Sequence, residues 1–173
     1  RSHVATYEGV APTTGSYEPN DTVTVNTDLT YKVTIRQHTV TIKDKNNEQT
    51  IGTYTRDEGA TFTFPTHDVP GYEHVASYEG VAPTTGSYEP NDTVTVNTDL
   101  TYKVTIRQHT VTIDNTVVAT QDEGTTYTFP TNDDPGYEHV DYFTDGEHTY
   151  QPGDPITLND DVVVTAVTRQ HRS

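Results

Sequence analysis

Residues 3–42 and 74–113 are nearly the same peptide: at an offset of 71 positions, 39 of 40 residues agree, and only Thr6 against Ser77 differs. A chain that repeats itself this closely is most simply an array of like modules, and such arrays serve length, reach or multivalent display more often than chemistry. The repetition continues beyond the second copy. His139 to Gln170 is a divergent version of His74 to Gln108, and both carry a Tyr-x-Pro-Asn/Gly-Asp turn, at Tyr88 to Asp92 and Tyr150 to Asp154. His38 to Glu73 recurs as His109 to Glu138 with six residues removed from its first hairpin. Half-units therefore run in the order a, b, a, b, a. Boundaries at Arg-Gln-His give an a-type half-unit at 3–37, a full repeat at 38–108 and a shortened, divergent repeat at 109–171. The Arg-Ser pairs at 1–2 and 172–173 read as a cloning scar, so the chain reads as an excerpt of a longer array.

Composition restricts what such modules can be. Only 30% of residues are apolar, too few for one large core, so several small ones are expected. Trp, Met and Cys are absent, and twelve Tyr stand against four Phe. Tyrosine supplies bulk next to water, because the ring is buried while the hydroxyl stays hydrated. Without cysteine there are no disulfides and no thiol chemistry, and the compartment is left open. A net charge of −16 repels nucleic acid and anionic lipid. The same charge favours a soluble monomer, and acidic, Thr-rich strand faces weaken mispairing between near-identical neighbours. No apolar run approaches the roughly 20 residues that span a bilayer. No signal peptide is read either, so any export or anchoring signal is expected outside the excerpt.

The predicted secondary structure is strand nearly throughout. From Thr22 to Ile35 the pattern has period two: Val23 and Val25, an Asn26-Thr27-Asp28 turn, then Leu29, Tyr31, Val33 and Ile35 on one face, with Thr24, Thr30, Lys32 and Thr34 on the other. That is the signature of a half-buried antiparallel sheet. A short helical turn is allowed only near Asp57-Glu58-Gly59. Pro70-Gly71, Pro135-Gly136, Asp145-Gly146 and Pro152-Gly153-Asp154 mark turns. The apolar face falls on odd numbers up to Ile35 and on even numbers at Val40 and Ile42, with the same flip between Ile106 and Val111. Such a flip means that the chain bulges or passes from one core to the next at Arg-Gln-His. No Gly, Ser or Pro linker lies there, so a short, stiff junction is expected. With about 33 Å for a ten-residue strand, the array predicts a rod on the order of 100 Å long.

Each full unit reads as a Thr-Val-Thr-Ile strand, a polar hairpin, Asp-Glu-Gly-x-Thr-aromatic-Thr-Phe-Pro-Thr, Pro-Gly-Tyr, an aromatic segment, Tyr-x-Pro-Asn/Gly-Asp and a closing strand. This order resembles the tandem repeats of Gram-positive cell-wall-anchored surface proteins, the internalin-type B-repeats and the related mucin-binding-protein and streptococcal high-identity repeats. It differs in having Ser77-Tyr78 or Asp141-Tyr142 where B-repeats often carry Gly-Trp. The resemblance implies an all-β, partly β-grasp-like module in the extracellular stalk of an adhesin, holding a distal binding domain away from the cell wall.

Residues able to do chemistry are few. Histidines recur at His3, His74 and His139 and at His38, His109 and His171, but no His-x-His or His-x-x-x-His pair occurs, and they read as structural. The acids Asp133, Asp134, Asp141, Asp145, Glu147, Asp154, Asp160 and Asp161 supply oxygens that calcium could use. Their spacing does not match an EF-hand loop, so they read as a solvated acidic surface, and no cofactor is expected. Serine is confined to positions 2, 16, 77, 87 and 173, without a Gly-x-Ser-x-Gly motif or a phosphate loop, so an enzyme is not expected. Internal isopeptide cross-links common to every module are ruled out by lysines at only 32, 43, 45 and 103. Gln37, Gln108 and Gln170 read as polar edge residues rather than ester partners. Tyr7, Tyr78 and Tyr142, taken as equivalent, are the candidates for weak binding of host glycan or protein. Core packing is their competing role, because a module poor in Leu and Phe must build its interior from Tyr. A spacer is thus the first functional expectation and multivalent adhesion the second.

Overall fold

β-Branched and aromatic residues in alternation favour a pleated, half-buried surface, and every regular element is a strand. The computed structural model describes residues 3–170, which contain no helix. The Arg-Ser pairs at the two ends and His171 lie outside the described residues. Residues up to Thr105 and residues from Ile106 onward form two compact units.

The first unit opens with β1 (Val4–Gly9), β2 (Ser16–Tyr17) and β3 (Tyr31–Ile35), a three-stranded sheet in the order β2-β1-β3 with both pairs antiparallel. Next come β4 (Gln37–Lys43), β5 (Thr50–Asp57), β6 (Thr61–Thr63), β7 (Val75–Gly80), β8 (Ser87–Tyr88), β9 (Thr93–Thr95) and β10 (Leu100–Ile106). Five of these make a sheet in the order β5-β4-β10-β7-β8, in which β4 and β10 run parallel, while β6 and β9 form a separate antiparallel pair. The second unit contains β11 (Gln108–Ile113), β12 (Thr116–Asp122), β13 (Thr126–Thr128), β14 (Val140–Thr144), β15 (Thr149–Tyr150), β16 (Pro155–Thr157) and β17 (Val162–Thr168). Its order, β12-β11-β17-β14-β15 with β11 and β17 parallel and a β13-β16 pair outside, repeats that of the preceding sheet.

Identical sequence adopts two structures here, which corrects the strand expected from Thr22 to Ile35. In the second copy Thr93–Thr95 and Leu100–Ile106 are strands; in the first, residues 18–30 contain none and pairing starts at Tyr31. The cause is the partner. Thr93–Thr95 pairs with Thr61–Thr63, and Leu100 to Lys103 pairs with Val40 to Lys43, both supplied by the b-type half that precedes that copy. Among the described residues no such half lies beside the first copy. Backbone N–H and C=O groups without a ladder partner turn to water, and an alternating pattern alone does not hold a strand.

Turn chemistry is local and follows the sequence. The left-handed residue of Tyr-x-Pro-Asn/Gly-Asp is Asn20 (φ 75°), Asn91 (φ 76°) or Gly153 (φ 84°), the residue types that tolerate this conformation. The Asp after it closes the turn: Glu89 N donates to Asp92 Oδ2 at 2.8 Å, and Gln151 N to Asp154 Oδ2 at 2.8 Å. The six-residue deletion falls at a hairpin tip, where Asp114 and Asn115, both at positive φ, leave a two-residue turn. Asp57 ends β5 and Glu58-Gly59 is a turn, not a helix, with Gly59 at φ 87°.

Each repeat has its own small aromatic core. In the first unit Phe62, Phe64, Tyr72, Tyr78 and Tyr102 are buried with Val40, Ile42, Val75, Val96 and Val104. In the second, Phe129 and Phe143 are buried with Val111, Ile113, Tyr127, Val140, Leu158 and Val164. Burial pushes the Tyr78 phenol up and lifts that of Tyr102 to about 12.

Candidate functional site: a carboxylate junction and a repeated groove

Only Arg36 separates β3 from β4, so two sheets join with no linker. Its backbone is tied on both sides: Arg36 N donates to His3 O at 2.9 Å, and Glu58 N donates to Arg36 O at 2.7 Å. The Glu58 carboxylate is largely shielded and accepts from Arg36 through Nε at 3.2 Å and Nη2 at 3.0 Å. His38 Nε2 lies 2.9 Å and His3 Nδ1 2.5 Å from the same group. The Arg36 guanidinium first, then His38 and His3, hold the Glu58 carboxyl well below the usual carboxylate range. Beside it, Asp99 Oδ1 accepts from Thr39 N at 2.9 Å and faces His38 Nδ1 at 3.6 Å.

The second unit builds the same group from Arg107, His109, Glu123 and Asp161. Glu123 N donates to Arg107 O at 2.7 Å, Arg107 Nη2 to Glu123 Oε2 at 2.6 Å, and His109 Nε2 lies 2.7 Å from Glu123 Oε1. Asp161 takes the place of Asp99, accepting from Thr110 N at 2.9 Å. Glu123 foremost, with Asp161, raises the His109 pKa. In the third a-type segment Arg169 N donates to His139 O at 2.8 Å, as Arg36 does to His3, and its guanidinium bonds Asn132 Oδ1. Gln37 and Gln108 lie alongside, their amides donating to Asp57 and Asp122 at 2.9 and 3.0 Å.

The junction is legible in the sequence at Arg-Gln-His, whereas the parts played there by Glu58 and Glu123 are not. Only their recurrence is visible, because Asp-Glu-Gly occurs at both 57–59 and 122–124. The acids of the last repeat hold turns. Asp134 accepts from Thr131 N, and the N–H groups of His148 and Glu147 hold Asp145 at about 2. Among the described residues no group of three or more His, Asp or Glu side chains is arranged to hold a metal ion.

The three candidate tyrosines do not share one environment. Tyr78 is fully buried and donates from its hydroxyl to Pro65 O at 2.7 Å, so it presents no surface to a ligand. Tyr7, its counterpart in the first copy, is half-buried. Tyr142 is not equivalent to either. Phe143 pairs across the hairpin with Tyr150 as Tyr78 pairs with Tyr88, so Phe143 holds the core position and Tyr142 matches Ser77.

The recurring concavity lies beside the Ala-Pro bonds, which are cis at Ala11-Pro12 and Ala82-Pro83. A groove of about 440 Å³ is lined by Pro83, Thr85, Tyr88, Asp99 and Tyr102 among others. One of about 400 Å³ is lined by the counterparts Pro12, Thr14, Tyr17, Asp28 and Tyr31. Its tyrosine faces and hydroxyls are suited to polar ligands with apolar faces, and the Asp makes it unsuited to anions. Comparison with protein-family models, with curated proteins and with solved structures gives no match.

Proposed function

We propose that the chain is a structural spacer, a stalk segment of a Gram-positive cell-wall-anchored adhesin that projects a distal ligand-binding domain away from the cell. The observation that carries this reading is the linkerless junction at Arg36, where one carboxylate gathers an Arg and two His and the backbone is bonded on either side. A flexible tether needs free backbone; this connection has little. Reuse of Arg, His, Glu and Asp at the next junction supports an architecture copied for its connection rather than for a site. The order of the five-stranded sheets, with a parallel central pair flanked by antiparallel hairpins, accords with a β-grasp-like module. On this reading the protein is extracellular and monomeric, needs no cofactor and catalyses nothing.

Small-angle X-ray scattering, with and without calcium, tests the proposal. A compact 173-residue chain has a radius of gyration of about 16 Å, whereas a stiff rod on the order of 100 Å long gives about 30 Å. A rod-like profile near the larger value, unchanged by calcium, is expected. A value near 16 Å sinks the spacer. The repeated groove beside Tyr17 and Tyr88 favours the second reading, weak multivalent binding of host glycan or protein, which predicts glycan-array binding that Tyr88→Ala weakens.

A further inference from the structure

The first half-unit has a slot that its twin keeps filled. In the second copy the segment Ala60 to Pro65 lies across the a-type half. Thr61, Phe62 and Thr63 pair with Thr95, Val94 and Thr93. Phe64 N donates to Asp92 O at 2.9 Å, and Asn91 N to Phe64 O at 3.0 Å. The Phe64 ring then enters a cage of three tyrosines, stacked on Tyr88 at 4.9 Å and 16°, and 4.9 Å from both Tyr78 and Tyr102. The second unit repeats the insertion with different residues: Phe129 stacks on Tyr150 at 4.8 Å and on Phe143 at 5.1 Å, and Phe129 N donates to Asp154 O.

The first copy carries the same receiving groups, Tyr7, Tyr17, Tyr31, Asn20, Asp21 and Val23, and they line an open groove of about 270 Å³. Apolar side chains that are buried in the second copy are bare here. Val25 is 71% exposed where Val96 is 0%, and Val33 is 51% exposed where Val104 is 3%. With 39 of 40 residues identical, the difference lies in what covers the two copies, not in their sequences. The groove is wide enough to admit an aromatic ring between its three tyrosines.

We infer that residues 3–37 form a receptor for an unpaired b-type half-unit, a hairpin followed by a Thr-aromatic-Thr-Phe-Pro-Thr strand, which adds to the sheet and plugs the Tyr7-Tyr17-Tyr31 cage with its Phe. Recognition follows the rules of strand addition: main-chain bonds to residues 20–25 supply register, and the Phe pocket supplies specificity. Occupancy buries Val25 and Val33 and organises residues 22–30 into the strands that the second copy shows at 93–101. The inference stands apart from the spacer reading, because it concerns a half-unit's affinity for its complement whatever the array is for.

The test is titration of the full chain with a synthetic peptide of the sequence His38 to Glu73, by calorimetry and by NMR of labelled chain. Saturable one-to-one binding is expected, with residues 22–30 shifting toward strand. Phe64→Ala in the peptide is expected to weaken binding at least tenfold, since the ring that fills the cage is removed. Val25→Asp in the chain is expected to do the same without unfolding it, because Val25 is exposed in the free protein while its counterpart Val96 is fully buried. No saturable binding by the unaltered peptide overturns the inference, as does binding that ignores both substitutions. Concentration-dependent dimerisation of the chain alone, lost in Val25→Asp, also overturns the assigned occupant, since it makes a second copy the partner.

Discussion

Tyr7 and Tyr78 are the same residue in the same peptide, so replacing each by Ala isolates what the covering segment contributes. Tyr78 is fully buried, with Phe64 4.9 Å from its ring and its hydroxyl bonded to Pro65 O. Truncating a buried aromatic to Ala costs about 3–5 kcal/mol, and the lost hydrogen bond places Tyr78→Ala near the middle of that range or above. Tyr7 is only half-buried and no Phe covers it. A tyrosine ring of roughly 200 Å² that is half removed from water accounts for about 2.5 kcal/mol at ~25 cal/mol/Å². The two variants should therefore differ by about 2 kcal/mol, a factor of roughly thirty in the folding equilibrium. Urea titration followed by near-ultraviolet tyrosine dichroism, extrapolated linearly to water, measures both. Equal losses, within about 0.5 kcal/mol, would refute the claim that the Phe62-Thr63-Phe64-Pro65 segment distinguishes the copies.

Two further outcomes follow from the junction and the turns. The Glu58 carboxyl is held low in the folded chain, so its contribution is fully present above its unfolded pKa of about 4.3 and is lost as pH falls through the lower folded value. Melting temperatures measured from pH 5 downward should fall more steeply for the native chain than for Glu58→Gln, and parallel curves would show that the cluster does not couple to folding. At Gly80 an added Cβ would lie 2.7 Å from Thr84 O and Thr85 C, and at Gly9 2.8 Å from the matching Thr13 and Thr14 backbone. Gly80→Ala and Gly9→Ala should each cost about 1–3 kcal/mol in urea titrations, because backbone atoms cannot step aside as a side chain can; an unchanged midpoint would show that this loop moves freely.

What the sequence made legible is what neighbouring residues decide. Alternation marked the strands, the Pro-Asn-Asp and Pro-Gly-Asp turns were visible, and the parity flip at Arg36 located the passage between sheets. Pairing across long separations was not legible. Nothing local in Val23-Thr24-Val25 says whether a Thr-Phe-Thr strand is present to pair with it, so the same peptide was read as strand in both copies and is one only at 93–95. Tyr142 was matched to Tyr78 by residue type; the constant offset between the copies, and the core position of Phe143, match it to Ser77. The role of Glu58 was not legible because its partners, His3 before β1, Arg36 at the β3–β4 junction and His38 in β4, lie 20 or more residues away and meet it only in the fold.

In each five-stranded sheet the first strand and the last lie side by side and parallel: Val40 to Lys43 against Leu100 to Lys103, and Val111 to Ile113 against Val162 to Val164. Tension applied at the two ends of such a repeat pulls these neighbours in opposite directions along their length. The hydrogen bonds between them are then sheared together, not peeled one after another, so the whole set must fail before the chain can lengthen. A repeat connected in this way acts as a mechanical clamp, yielding in a single step under a load that would unzip an ordinary hairpin bond by bond.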